Sequence, residues 1–221
     1  MADYSTIKGF TIQSLSSDPY ASEVLGGTWA SGGNINTPRQ QDVGAGTQTA
    51  GIIAGGAGVP GKNAETETYN GTAWTEVADL NSQRAGGGMA SAGTTTATLY
   101  FCGQGWPPGT TLTSTESWNG TSWTEVAATG LTLGVSNTGT GTSTAAVVAG
   151  GDTGGGTTGA GLWDGTSWAA TGAMNTARYQ LGGCGTSTAS IVFGDEPASA
   201  VTETFNGSTW TAVNSLNNAR N

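Results

Sequence analysis

Short apolar and aromatic runs, separated by glycine, asparagine and threonine, recur along the chain with a strand period and no helical period. The clearest unit is Tyr69-Asn70-Gly71-Thr72-Ala73-Trp74. It returns as Trp118-Asn119-Gly120-Thr121-Ser122-Trp123, Trp163-Asp164-Gly165-Thr166-Ser167-Trp168 and Phe205-Asn206-Gly207-Ser208-Thr209-Trp210. A shorter version, Leu25-Gly26-Gly27-Thr28-Trp29, precedes them. Asn-Gly or Asp-Gly between two alternating runs predicts a β-hairpin closed by a type I′ turn. In that register Tyr69 faces Thr72 and Glu67 faces Trp74, which sets the two rings diagonally on one face. A lone hairpin cannot bury such rings, whereas a stack of hairpins can.

A second block recurs between the hairpins. Gly46-Thr47-Gln48-Thr49-Ala50-Gly51-Ile52-Ile53-Ala54-Gly55-Gly56 aligns without a gap on residues 93–103, 141–151 and 185–195. Threonine and β-branched residues running into a glycine stop predict a largely buried strand. Small-residue strands precede it at 41–45, 86–92 and 179–184. Ahead of those lie the loops Asn36-Thr37-Pro38-Arg39, Asn81-Ser82-Gln83-Arg84 and Asn175-Thr176-Ala177-Arg178, with Asn218-Ala219-Arg220 near the end. The third unit has Leu133-Gly134-Val135 instead of the arginine.

Each unit therefore predicts four strands. The tryptophans at 29, 74, 123, 168 and 210 are 45, 49, 45 and 42 residues apart, the repeat length of a β-propeller blade. The predicted fold is all-β, one propeller domain over 1–221 of four-stranded antiparallel blades. Its units fall at 34–77, 78–126, 127–171 and 172–221, with residues 1–33 supplying a strand and a partial blade. Five blades, the N-terminal one shortened, is the first reading, and four blades plus an N-terminal extension is the second. Completion by a neighbouring subunit comes third, because an unpaired strand edge invites pairing. In all of these, Tyr69, Trp74, Trp118, Trp123, Trp163, Trp168, Phe205, Trp210 and Trp29 are structural and pack between blades.

Composition narrows the function. A formal net charge of −9 with six Lys+Arg disfavours nucleic acid and acidic membrane surfaces as partners. The longest apolar runs are too short to span a bilayer, and no secretory leader is read at the N-terminus. With no histidine, Ser-His-Asp chemistry and His-ligated metal sites are not expected. The 15 carboxylates include Glu65, Glu67, Glu116 and Glu203 at repeated positions before the hairpin, which predicts structural use and no enzymatic activity, cofactor or metal. Cys102 and Cys184 read as small buried thiols.

The glycine pair ending the second strand, followed by an aromatic and a Trp at fixed spacing, resembles the kelch-repeat β-propeller over roughly residues 34–221. The pair is intact at Gly55-Gly56 and Gly150-Gly151 but reads Cys102-Gly103 and Gly194-Asp195 elsewhere. The repeat phrases Gly46-Thr47-Gln48-Thr49-Ala50, Asn119-Gly120-Thr121-Ser122-Trp123 and Asn175-Thr176-Ala177-Arg178 are similar to Gly/Thr/Asn-rich propeller proteins of bacteriophages, marine cyanophages above all. The opening Thr6-Ile7-Lys8-Gly9-Phe10-Thr11-Ile12-Gln13 is similar to segments that begin tail-associated proteins of such phages. That resemblance implies a virion protein, a tail fibre or decoration. It would attach to other virion proteins through its N-terminal segment, or reach a host-surface glycan or receptor, with homo-oligomers possible. A free-standing multivalent lectin is the alternative.

Two groups are candidates for ligand binding. Arg39, Arg84 and Arg178, with Arg220, line one face if exposed and would meet an anion there. The competing reading has each guanidinium bonding loop carbonyls. Trp106, in the interrupting loop Gln104-Gly105-Trp106-Pro107-Pro108-Gly109, offers an aromatic platform for a sugar or a partner protein.

Overall fold

The computed structural model describes residues 31–58, 61–90, 94–107 and 109–220. By internal contacts the chain divides into Met1–Gly32 and Gly33–Asn221, and every element below belongs to the second unit. The shortened N-terminal blade, Trp29 and the proposed attachment segment lie outside the described residues.

Among the described residues the fold is all-β. Four four-stranded antiparallel sheets follow one another as propeller-like blades, each with its strands in chain order. The first holds β1 (Val43–Thr47), β2 (Ala50–Ala54), β3 (Thr66–Tyr69) and β4 (Trp74–Val77). Next come β5 (Arg84–Ala85), β6 (Gly88–Ala90), β7 (Thr98–Phe101), β8 (Gln104–Gly105), β9 (Thr115–Trp118) and β10 (Trp123–Val126). Of these, β6, β7, β9 and β10 form the second sheet, while β5 and β8 pair as a separate two-stranded ribbon. The third sheet is β11 (Thr138–Thr142), β12 (Ala145–Ala149), β13 (Ala160–Trp163) and β14 (Trp168–Ala170). The fourth is β15 (Gly182–Thr186), β16 (Ala189–Phe193), β17 (Thr202–Phe205) and β18 (Trp210–Val213).

The small-residue strands stand side by side in the order β1, β6, β11, β15. Backbone bonds tie their entry points in series: Gly86 N–H donates to Gln41 O at 2.9 Å, Ser136 N–H to Gly86 O, and Gln180 N–H to Ser136 O at 2.8 Å. All four residues have positive φ, between 53° and 65°. The four sheets do not close into a ring among the described residues.

The hairpin register differs from the sequence expectation. Tyr69 pairs directly with Trp74 and Glu67 with Glu76, leaving four residues in the turn instead of two. The physical reason is the asparagine side chain. Asn70 Oδ1 accepts the N–H groups of both Thr72 and Ala73, and only Gly71 takes positive φ, 91°. Asp164 makes the same pair of bonds to Thr166 and Ser167, which is why aspartate serves there equally well. The rings are thus direct cross-strand neighbours, with centroids 4.9–5.5 Å apart in all four hairpins.

The core lies between successive sheets. Ile52, Met89, Tyr100, Trp118 and Trp123 fill the first interface, while Leu99, Phe101, Leu133, Val148 and Trp163 fill the second. Val147, Met174, Val192, Phe205 and Trp210 fill the third. Burying such side chains stabilises by roughly 1.5–3 kcal/mol each, so the interfaces hold the sheets together. Two indoles add a hydrogen bond to the preceding sheet: Trp123 Nε1 donates to Thr66 Oγ1 and Trp168 Nε1 to Thr115 Oγ1, each at 2.9 Å. Cys102 is buried, and its thiol is pushed up to about 11 by desolvation; Cys184 is exposed on β15, unlike the expectation for it.

Candidate functional site

Three modules share one buried polar cluster. In the first, the Glu67 carboxylate accepts the backbone and side-chain N–H of Asn36, the backbone N–H of Thr37 and a guanidinium N–H of Arg39. Glu116 takes the same bonds from Asn81, Ser82 and Arg84, and Glu203 from Asn175, Thr176 and Arg178. Both side chains of each pair are 0–1% exposed. Through Nη1 each guanidinium also donates to two backbone carbonyls of its own module, and Nε of Arg39 and Arg84 reaches a third, on Thr37 and Ser82. Burial pushes the Glu67 carboxyl up, but the donors from Asn36, Thr37 and Arg39 outweigh it and hold it below the ordinary range.

Arg39, Arg84 and Arg178 therefore present no guanidinium to an external anion. A positively charged guanidinium next to an available carboxylate is far better neutralised inside than left for a ligand, and the loop carbonyls fix it there. Arg220 is exposed.

The third module replaces the whole cluster. Counting from the positive-φ residue and from the hairpin ring, Leu131 stands where the others have asparagine, Gly134 replaces arginine and Gly161 replaces glutamate. A Cβ on Gly161 would lie 2.4 Å from Leu131 Cδ1, so the leucine fills the glutamate's space. All three partners change together, as expected where a half-paired buried charge costs more than none.

Trp106 is placed differently. It follows β8, whose pairing with β5 sets Gly105 opposite the buried Arg84. The Arg84–Glu116 cluster is thus the footing of the Trp106 loop. One face of the indole rests on Gly61, where an added Cβ would come within 3.1 Å of the ring. The residue is nonetheless 53% exposed, one of two large apolar side chains so open among the described residues.

Beside it lies a cleft of about 500 Å³ between the first and second modules, lined by Lys62, Asn63, Glu65, Gln83 and Trp106 among others. Glu65 was grouped in the sequence with Glu67, Glu116 and Glu203, and the structure separates it from them. It sits two residues before Glu67; its backbone carbonyl accepts from Arg39, but its carboxylate stands outside that cluster, and the buried Oε2 has no hydrogen-bond partner among the described residues. At the equivalent position in the second module, Ser114 Oγ turns back to accept from Arg84. The offset from the hairpin ring, four residues instead of two, is the sequence signal that distinguishes Glu65. A cleft of about 390 Å³ lies between the second and third modules, but it has no aromatic wall. Its Asp152 Oδ1 is already taken by the N–H groups of Gly154 and Gly155.

No protein-family model matches the chain, and no curated protein matches it.

Proposed function

We propose that the chain is a non-enzymatic structural and binding protein of a bacteriophage particle, a tail-fibre or decoration component with kelch-like blades. The Trp106 cleft is where it holds an external ligand. One observation carries the binding half of this reading: an exposed indole forms the wall of a cleft whose other groups include a lysine, two amides and a carboxylate with one oxygen unpartnered among the described residues. A non-catalytic role is supported by Glu67, Glu116 and Glu203, each occupied by four donors and so withdrawn from proton transfer. The particle assignment is supported by the phrasing of the repeats, similar to that of phage propeller proteins. The glycine pair Gly55-Gly56 after β2, followed by Tyr69 and Trp74, supports the kelch-like reading.

The second reading, a free-standing lectin, is favoured by the recurrence of a cleft at the next module junction. Antibodies against the chain separate the two. On the particle reading they decorate intact virions in electron micrographs and block adsorption to the host. Unlabelled virions with unchanged adsorption would overturn it.

A further inference from the structure

We infer that the Trp106 cleft takes a neutral pyranoside, seated with a C–H face on the indole and with a hydroxyl donating to the Glu65 carboxylate. This rests on the reading of the cleft as the chain's ligand-binding surface and names the class of ligand. Glu65 Oε2 is withdrawn from solvent and unpartnered among the described residues, yet the residue lines the cleft. A carboxylate oxygen without a donor is costly, so a ligand that donates gains by drawing the Glu65 carboxylate round into the cleft.

Three kinds of donor compete: cations, acids carrying hydroxyls, and neutral polyols. Lys62 lines the same cleft and disfavours a cation, although an indole and a carboxylate together would otherwise suit one. Glu65 and the net charge of −9 disfavour an acid, and Arg39, Arg84 and Arg178, which would otherwise offset them, are enclosed. A neutral sugar satisfies every wall. Its hydroxyls donate to Glu65 and accept from Lys62, while Asn63 and Gln83 can do either. The indole, held flat by Gly61, meets the apolar face of the ring. The volume suits a small ligand of this kind.

The test uses the whole chain, ¹⁵N-labelled, with the Trp106 indole resonance identified by its loss in W106F. Methyl β-galactopyranoside, methyl α-glucopyranoside and methyl α-mannopyranoside are titrated beside glucuronate, galactose 6-sulfate and glucosamine. At least one neutral glycoside is expected to shift the Trp106 resonance saturably, with its charged counterparts at least tenfold weaker. E65Q, its other indole peaks unmoved, is expected to weaken the neutral glycoside about tenfold, since Gln replaces one acceptor by a donor.

A charged sugar that binds as well as the neutral one, or an E65Q variant that binds like wild type, overturns the ligand class and leaves the cleft as a binding site. Silence from all three neutral glycosides also overturns the ligand class. If W106A in addition leaves adsorption to host cells unchanged, the binding reading falls with it.

Discussion

Glu67, Glu116 and Glu203 are the residues on which the modules turn, because each gathers a loop, a guanidinium and a strand around one carboxylate. A buried ion pair is not a stabiliser by itself, since an apolar filling of the same volume often does as well. The third module displays that alternative with Leu131, Gly134 and Gly161. Removing one partner alone is a different matter. Arg84→Met leaves Glu116 buried without its cation, so the unfolding free energy in urea should fall by about 3–5 kcal/mol. Acid acts on the same cluster. With its folded pKa depressed, Glu67 contributes stability that is fully present above the ordinary value of 4.5 and is lost as pH falls through the lower folded value. Unfolding free energies measured from pH 7 downwards should therefore drop more steeply, as pH falls below 4.5 towards the folded value, in wild type than in E67Q.

At the scale of the strand, the hairpins carry the contact from one sheet to the next. Trp123 and Trp168 each donate to a threonine of the preceding sheet, Thr66 and Thr115. The third module has Ala160 at that position, and Trp210 Nε1 is buried with no partner among the described residues. Ala160→Thr should supply the missing acceptor and raise stability by about 1 kcal/mol, read as a higher melting temperature. A lower one would mean that the site cannot hold the extra atoms. The four strands of each described sheet, their order and the hairpins were legible in the sequence, because an Asn-Gly or Asp-Gly turn and a glycine stop punctuate every unit, whereas the β5–β8 ribbon was not. The register was not. It depended on whether Asn70 would take positive φ or cap the turn with its side chain, and composition cannot decide between those.

For the molecule as a whole, the division of labour between scaffold and surface is the main conclusion. The sequence made Trp106 visible, since Gln104-Gly105-Trp106-Pro107 interrupts an otherwise regular repeat. It also made the arginines conspicuous, but recurrence alone does not separate a charge aimed at solvent from one turned onto a carboxylate some 25–32 residues away. Only the fold brings Arg84 to Glu116, and only the fold sets Glu65, from the first module, across from Trp106, from the second. On the proposed reading as a phage surface protein, the most direct measurement is binding of the purified chain to host-cell surfaces, with wild type compared against W106A. W106A is expected to keep the wild-type melting temperature and bind at least tenfold more weakly, since exposed aromatic walls carry much of a site's affinity. Undiminished binding by a folded W106A would contradict the account.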